Sequence, residues 1–356
     1  LGAAFALRVH GELVVDIWGG IANQKTGEAW HEDTLQLVFS TSKGVTAICL
    51  GVLVGQGKVD LAEKVSTYWP EFAANGKGDV TVAQMMSHQA GLAALDEKPA
   101  VEDILAVTPM VEALAAQKPI WEPGTAHGYH AITYGWLAGE LLARIDGRRI
   151  GRFIADEVDE PLGTEFWIGL PESEDDRIAR LRNSTAPVDP AELERLMRTV
   201  GPGSKGYKAL WLDGRISWAG ENDFNTRPLR ATEMPAANGV TNARSLARIY
   251  AAMIGEVDGV RLLDHDTMQA ARTELRNGHD LTLQRPTRFG AGFWLHHDNT
   301  PMIQDGSFGH PGAGGSLGFA NPGLGIGYGY VMNQMGGGIT GDPRTVALND
   351  AVLASL

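Results

Sequence analysis

Apolar and polar positions alternate at both ends of the chain. Residues 5–9 alternate between large apolar and small or polar side chains, and His10–Gly11 supplies a turn before the next apolar run. A period of two residues bounded by turn residues predicts strands, and the short turn predicts a hairpin. Near the other end, three further stretches read as strands: 290–296, 315–320 and 326–333. We therefore expect strands at both termini.

Helical signals dominate the middle of the chain. Thr81–Gln84 has the spacing of a capping box, with Gly91 as a candidate C-cap, and residues 134–145 are apolar at helical spacing up to Gly147. Asp189–Pro190 is typical of a helix start. Further helices are predicted over 243–254 and from Asp342–Pro343 onwards, whereas 201–240, rich in Gly, Pro, Asn and Trp, predicts long loops.

This order of elements predicts an α+β protein. Strands at both ends can form one antiparallel sheet flanked by helices, with a helical domain inserted between them. We expect a discontinuous α/β domain formed by residues 1–70 and 235–356. Residues 71–234 are expected to form a mainly helical inserted domain with long loops.

Charge and composition exclude several classes of partner. The chain of 356 residues carries a formal net charge of -13, so no nucleic acid or anionic membrane partner is expected. The longest nearly apolar run, Val45–Val54, is too short to span a bilayer. The one cysteine, Cys49, cannot form an intramolecular disulfide, and we expect a cytoplasmic protein. The chain begins at Leu1, and the sequence does not tell whether a leader segment was removed.

Ser40 stands three residues before Lys43, where an apolar helical segment begins. Residues at positions i and i+3 share a helix face, so the two side chains would meet. At a helix start, the Ser40 hydroxyl would lie beside backbone N–H groups that can bind an oxyanion, and burial would lower the pKa of Lys43. Alternatively, Ser40 is only an N-cap and Lys43 extends to solvent. The spacing alone is weak support for catalysis.

Several stretches occur in the order found in one superfamily. Residues 40–43 resemble the S-x-x-K motif of serine β-lactamases and penicillin-binding proteins, and the chain looks most like the class C β-lactamase-like esterases called family VIII carboxylesterases. Three further stretches are similar to that family's "LLxHxSGL", "PG…Y-x-N" and "K-T-G or H-x-G" motifs: Gln84–Leu92, Trp121–Gly124 with Tyr129–Ala131, and His310–Gly315. The resemblance covers nearly the whole chain and implies the β-lactamase/penicillin-binding-protein-like fold.

The resemblance implies roles for particular residues. Ser40 would be the nucleophile, with Lys43 and Tyr129 moving its proton. The backbone N–H groups of Ser40 and Ala313 would form the oxyanion hole. Tyr134 is the rival for the tyrosine, but it lies inside the following helical pattern, where a core role is expected.

Two positions depart from the β-lactamase pattern. Ala131 replaces the usual Asn or Ser, and His310 replaces the lysine of K-T-G, although His310 could also be a structural residue at a strand end. Both changes remove polar groups that a β-lactam would use, which favours uncharged esters. Gly312 would let the backbone approach the substrate. We therefore assign Ala131, His310 and Gly312 to substrate binding.

The sequence thus predicts a serine carboxylesterase acting on short-chain or small uncharged esters through an acyl-enzyme on Ser40. Alternatives are a β-lactamase, a D-amino-acid peptidase or an acyltransferase of the same superfamily, or a catalytically silent scaffold. No metal or cofactor is implied, and the expected partner is a small-molecule ester. Neither the oligomeric state nor the natural acid and alcohol follow from the sequence.

Three other motifs match known signatures without their context. Lys25–Gly27 is a literal K-T-G that precedes the serine. Gly314–Gly318 is a literal G-x-S-x-G, but a strand follows where that motif requires a helix, so Ser316 is expected to be structural. The histidine pairs at 127/130 and 296/297 lack the i, i+4 helical spacing of an H-E-x-x-H zinc site.

Overall fold

The computed structural model describes residues 1–184, 190–217 and 223–356. Its strands are β1 (Gly2–Val9), β2 (Glu12–Asn23), β3 (Glu28–Ala29), β4 (Gln36–Leu37), β5 (Phe166–Trp167), β6 (Val240–Thr241), β7 (Arg276–His279), β8 (Pro286–Phe289), β9 (Trp294–Leu295), β10 (Phe308–Pro311), β11 (Leu317–Asn321) and β12 (Ile326–Met332). Its helices are α1 (Thr41–Gly55), α2 (Val65–Tyr68), α3 (Val82–Met86), α4 (Val101–Ala106), α5 (Thr108–Ala116), α6 (Thr133–Asp146), α7 (Ile150–Ile154), α8 (Glu160–Leu162), α9 (Pro190–Val200), α10 (Lys205–Trp211), α11 (Arg227–Ala231), α12 (Ala243–Ile254), α13 (His265–Arg272) and α14 (Pro343–Leu353).

One antiparallel sheet is built from both ends of the chain. Its strand order is β3-β2-β1-β12-β11-β10-β9-β8-β7. The N-terminal β1 pairs with β2 through the predicted hairpin and with β12 from the other end of the chain. The predicted sheet is confirmed, as is the last helix, which Asp342 caps by accepting a hydrogen bond from the Arg344 N–H. The structure also contains a small sheet of order β4-β6-β5 that the sequence did not predict.

Glycines on β12 let helix α12 pack directly on the sheet. A Cβ at Gly327 would lie 2.4 Å from the Ala247 oxygen, and one at Gly329 would lie 2.2 Å from the Ala243 oxygen. These distances are too short for a side chain. Glycine at both positions therefore allows the backbone of α12 to approach β12 this closely. Gly327 and Gly329 therefore form a small strand face against which α12 packs.

Helix α1 lies between α6 and strand β10. It is apolar on all sides, and its residues 41–50 are all buried. A helix that is hydrophobic all round is an interior helix rather than a surface one. The candidate serine therefore lies at the N-terminus of a helix that is buried in the protein interior.

Three predictions of local structure need correction. Helix α3 ends at Ser87, and Gly91 lies beyond it in a turn at φ +74, so Gly91 is not the C-cap of that helix. Residues 201–240 contain α10 and α11 rather than loops alone; Ser204 caps α10 by accepting a hydrogen bond from the Tyr207 N–H.

The predicted strand 290–296 is also wrong. Gly290 and Gly292 form a turn, with Gly292 at φ +85, and they separate β8 from β9. The predicted N-cap Asp189 lies outside the described residues.

The largest cluster of buried apolar side chains includes residues from the sheet, from α1 and from the central helices. The division into a domain of 1–70 with 235–356 and a domain of 71–234 stays a prediction. Among the described residues, no helix combines the length and apolarity needed to cross a membrane.

Candidate active site

Ser40 stands at the N-terminus of α1, in a strained turn. Phe39 before it adopts a left-handed φ of +46, which is uncommon for a non-glycine residue. Ser40 itself is the N-cap of α1, yet its side chain makes no capping hydrogen bond, and it remains partly exposed. The Ser40 hydroxyl is therefore free of the structural role that an N-cap serine usually has.

Lys43 lies one turn further along α1 and is completely buried. Its Nζ is 3.1 Å from Ser40 Oγ, and it donates to the carbonyl oxygens of Ala131 at 2.6 Å and Ala236 at 2.8 Å. Burial lowers the pKa of Lys43 well below its ordinary value. The lysine thus does not extend to solvent, and the structure brings its amine into hydrogen-bond contact with Ser40.

Close backbone packing places the two carbonyls. Ala131 lies just before α6, and Gly135 in the first turn of α6 approaches Ala236 so closely that a Cβ there would be 2.4 Å from the Ala236 nitrogen. On α1, Thr46 Oγ1 donates to the Pro235 oxygen at 2.9 Å. The two carbonyls that accept hydrogen bonds from Lys43 are therefore held in place by close packing at α6 and by a hydrogen bond from α1.

Tyr129 is buried beside the lysine. Lys43 Nζ lies 4.8 Å from the centroid of the Tyr129 ring, and the Ser40 side chain is close enough to the phenol to act against the rise of its pKa. Burial raises the pKa of Tyr129 above its ordinary value, so its hydroxyl keeps its proton at neutral pH. Phe289 stacks parallel to the ring, with centroids 6.4 Å apart, and Trp294 contacts it edge-on. The structure therefore brings Ser40, Lys43 and Tyr129 together.

Tyr134, the rival tyrosine, lies in the first turn of α6 and is buried. Its hydroxyl has no hydrogen-bond partner within the described parts of the chain. A Cβ at Gly292 would lie 2.6 Å from this hydroxyl and 2.6 Å from the Cβ of Ala47 on α1. Tyr134 accordingly packs in the core between α1 and the turn that follows β8.

His310 is buried on β10, facing the site. Its ring centroid is 6.1 Å from that of Tyr129. Nδ1 lies 2.7 Å from the Pro311 oxygen, so Nδ1 carries the proton and donates, while Nε2 has no partner among the described residues. Burial, with the nearby Lys43, lowers the pKa of His310 well below its ordinary value. His310 is therefore neutral, and its position supplies no cation.

Gly312 and Ala313 follow at the end of β10. A Cβ at Gly312 would meet Ser316 Oγ at 2.1 Å and the Val38 oxygen at 2.3 Å. Close packing against the Ser40 turn is thus a reason for glycine here that the sequence did not indicate; contact of Gly312 with a substrate stays a prediction. Ala313 begins a 3₁₀ turn, and within the described chain neither its N–H nor that of Ser40 is paired. Two free amides of this kind are what an oxyanion hole requires.

The structure shows where the residues of the three motifs without their usual context lie. Ser316 is buried just before β11, where its Oγ donates to the Val38 oxygen at 2.7 Å. His127 and His130 are buried and hydrogen-bonded to Thr287 and Gly128, respectively. Lys25–Gly27 forms an exposed turn. Across the described ranges, no cluster of three or more His, Cys, Asp or Glu residues could hold a metal ion.

The sequence did not single out two contributors to this site. Ala236 offers only a backbone carbonyl, which no motif can reveal. Asp280 is a buried carboxylate that accepts hydrogen bonds from the Tyr129 N–H at 3.1 and 3.0 Å. Asp280 also accepts from the Thr282 N–H, two residues on, which is an Asx-turn. That local signal was readable, but its contact with Tyr129, 151 residues away, was not.

The beta-lactamase family model matches residues 1–352. The chain belongs to the beta-lactamase family. Esterase/beta-lactamase LipL of Mycobacterium tuberculosis is 35% identical over 344 residues, which cover 94% of this chain and 77% of that protein. The fold is accordingly that of β-lactamases and penicillin-binding proteins, with helices around an antiparallel sheet.

Two solved structures of similar proteins match this beta-lactamase family member over its full length. A family VIII carboxylesterase superposes with a TM-score of 0.89 at 38% identity, covering 100% of this chain and 93% of that one. A penicillin-binding protein homolog from Caulobacter crescentus superposes with a TM-score of 0.88, also at 38% identity and with the same coverage. The family therefore includes proteins named for different activities at equal similarity.

An open cleft adjoins the oxyanion turn of the protein. Its volume is about 530 Å³, and its apolar wall consists of Tyr207, Trp211, Ile216 and Met335. The Gly336 N–H on this wall donates to the Gly314 oxygen at 2.7 Å, one residue beyond Ala313. No charged residue is among the described residues that line the cleft. Its chemistry suits an uncharged, partly apolar group.

Proposed function

We propose that this protein is a serine carboxylesterase that hydrolyses short-chain or small uncharged esters. The observation that carries the proposal is the 3.1 Å contact between Ser40 Oγ and the Nζ of Lys43, whose pKa burial lowers well below its ordinary value. A serine is a weak nucleophile unless a nearby base accepts its proton. The similarity to a family VIII carboxylesterase and to an esterase/beta-lactamase supports the same activity.

In the proposed reaction, Ser40 Oγ attacks the ester carbonyl carbon and its proton passes to Lys43. The N–H groups of Ser40 and Ala313 hold the resulting oxyanion. Collapse of this intermediate breaks the bond to the alcohol oxygen, which receives a proton through Tyr129 and leaves. Water then attacks the acyl-enzyme by the same route, and the carboxylic acid is released. Since Lys43 Nζ lies 4.8 Å from the Tyr129 ring centroid, we expect the two groups to titrate as a coupled pair.

The proposed substrate class follows from two polar groups of the β-lactamase pattern that this site lacks. His310 is neutral where the K-T-G motif carries a lysine, and Ala131 lacks the polar side chain that is usual at its position. A β-lactam carboxylate would thus lose a charge-assisted contact. Together with the lack of charge among the described residues of the cleft, this favours neutral esters as the expected small-molecule partner. A cytoplasmic location stays a prediction.

A β-lactamase or D-amino-acid peptidase is the second candidate. It is favoured by the similarity to a penicillin-binding protein homolog, which equals that to the carboxylesterase in sequence identity. The two activities share the acyl-enzyme on Ser40, so only their substrates distinguish them.

Assays with p-nitrophenyl butyrate and nitrocefin as substrates test both the nucleophile and the substrate class. Ser40→Ala should abolish ester turnover and labelling by a fluorophosphonate probe, with the thermal midpoint nearly unchanged. Ser316→Ala, at a buried serine bonded to Val38, should keep most activity and is the matched control. A labelled, active Ser40→Ala protein, or an unlabelled wild type, would contradict the proposal.

The wild type should prefer the ester by at least about a hundredfold in kcat/KM. Two lost polar contacts, at roughly 1.5–3 kcal/mol each for bonds to charged groups, are enough for this preference. If nitrocefin is turned over as efficiently as p-nitrophenyl butyrate, the second candidate replaces the first.

A further inference from the structure

Asp280 follows β7 and is completely buried. Its two oxygens accept the Tyr129 N–H at 3.1 and 3.0 Å, and its Oδ1 also accepts the N–H groups of Thr282 and Leu283 at 2.8 Å each. Thr287 Oγ1 donates to Oδ2 at 3.3 Å. The carboxylate therefore joins the tyrosine backbone to the loop between β7 and β8.

Burying a carboxylate is costly unless its oxygens are hydrogen-bonded. The donors around Asp280 supply these bonds, and they converge on one point of the backbone that carries Tyr129. A loop that needed only an Asx-turn would be closed by the Thr282 and Leu283 N–H groups alone. The contact with Tyr129 is an additional bond that spans 151 residues of sequence.

Other contacts hold the same segment against the hairpin β7–β8. The Leu281 N–H donates to the His127 oxygen at 2.9 Å, and Arg276 Nη2 donates to the Thr125 oxygen at 2.8 Å. At Gly128, a Cβ would lie 2.7 Å from Thr282 Oγ1, so the two loops meet without space between them. Displacing the hairpin loop would consequently displace Tyr129.

We propose that Asp280 is a positioning residue: it fixes the backbone of Tyr129 so that the phenol meets Ser40. The proposal rests on the proposed function, in which Tyr129 transfers a proton. Phe289, on β8 of the same hairpin, stacks on the Tyr129 ring, so the hairpin holds both the backbone and the ring of the tyrosine. Asp280 itself touches neither Ser40 nor the reacting ester.

The test compares kcat and KM of Asp280→Ala, Asp280→Asn and Asp159→Ala with p-nitrophenyl butyrate. Asp280→Ala should lower kcat about tenfold to a hundredfold with little change in KM, because small misplacements of catalytic groups cost rates of that order. Asp280→Asn should retain kcat within about threefold, since it keeps an Oδ1 acceptor that joins the loop N–H groups to the Tyr129 backbone. Asp159 is a matched control: it bonds Thr164 and the Phe166 N–H away from Tyr129, so its loss should affect stability alone.

The same substitution is then made in a Tyr129→Phe background. If Asp280 acts through the phenol, Asp280→Ala should lower kcat less than about twofold further there. An equal loss in both backgrounds, an Asn variant as impaired as the Ala variant, or a folded Asp280→Ala enzyme with wild-type kcat would each overturn the proposal.

Should Asp280→Ala not fold, Thr287→Val removes one bond to the carboxylate together with the bond to His127 Nε2, and it should still lower kcat a few-fold, again only when Tyr129 is present. An unchanged kcat in a folded Thr287→Val enzyme would then count against Asp280. Failure of the function itself is recognised separately, as an active Ser40→Ala enzyme.

Discussion

At the scale of single residues, Lys43 has the geometry of a base. A neutral amine has two N–H donors and one lone pair, whereas an ammonium has three donors and no lone pair. In the neutral form, the two carbonyls at 2.6 and 2.8 Å would take both donors and leave the lone pair for the Ser40 hydroxyl at 3.1 Å. Burial disfavours the ammonium and lowers the pKa of Lys43, which favours the neutral amine that a base requires.

Tyr129→Phe tests the phenol without changing ring packing. We expect kcat to fall by about 10²–10⁴-fold, the usual contribution of a general acid–base group, with KM little changed and the fold intact. Steady-state kinetics with p-nitrophenyl butyrate measures this loss.

Tyr134→Phe is its control. The Tyr134 hydroxyl has no hydrogen-bond partner among the described residues, so removing it should cost little activity. If Tyr134→Phe shows the large loss while Tyr129→Phe is nearly wild type, the motif has been matched to the wrong tyrosine, and Ala131 no longer bears on substrate class.

At the scale of elements, the site depends on how closely α1 approaches β10 and α12. Gly44, the residue after the lysine, makes this approach possible. A Cβ at this position would lie 1.9 Å from the Tyr250 hydroxyl oxygen on α12 and 3.2 Å from the His310 Cβ on β10. Both neighbours are buried, and interiors at this density have little room to yield.

Gly44→Ala should therefore reduce both stability and activity. Overpacking typically costs about 1–3 kcal/mol, which outweighs the gain of up to about 1 kcal/mol from replacing glycine within a helix. We expect a lower thermal midpoint and a lower kcat, since α1 carries both Ser40 and Lys43.

Gly55→Ala, on the same helix, is the matched control. The nearest atoms to its Cβ would be at 3.4 Å, an ordinary contact, so the thermal midpoint should stay or rise. A Gly44→Ala protein as stable and active as Gly55→Ala would show that α1 can shift without consequence.

At the scale of the whole molecule, the buried histidines should make the fold sensitive to acid. Burial is the main cause that lowers the pKa of His127 and His130 to about 4, and the pKa values of His88 and His310 lie well below the ordinary value. The unfolded chain binds these protons near pH 6.5 and the folded chain does not, so stability falls as the pH drops from about 6.5 towards 4.

The free energy of unfolding should thus decrease between pH 7 and pH 4. The lowered pKa of His130 alone accounts for roughly 3 kcal/mol of this decrease, at about 1.4 kcal/mol per pKa unit. The raised pKa values of Asp159 and Asp280 act in the opposite direction, because these groups gain a proton earlier in the folded state. Thermal midpoints measured across this range should fall, and less steeply in His130→Asn. A flat profile would contradict the expectation.

The sequence by itself determined the fold class, the sheet from both termini and the order of the motifs. These follow from periodicity and from short spacings such as Ser40 to Lys43, where both residues lie on one helix and local geometry is sufficient. Local reasoning was wrong where tertiary contacts decided the outcome, as at Gly91 and at the turn that splits 290–296.

Only the tertiary structure decided what surrounds the lysine and the tyrosine. Lys43 is held by carbonyls 88 and 193 residues away, and Tyr129 by a carboxylate 151 residues away. A backbone carbonyl belongs to every residue, so no side-chain pattern distinguishes Ala131 or Ala236 as a partner. The burial that lowers the pKa of Lys43 likewise arises only when α6, α12 and the sheet close around α1. The sequence therefore named the candidate reacting groups, and the packed fold brought them together and buried the lysine.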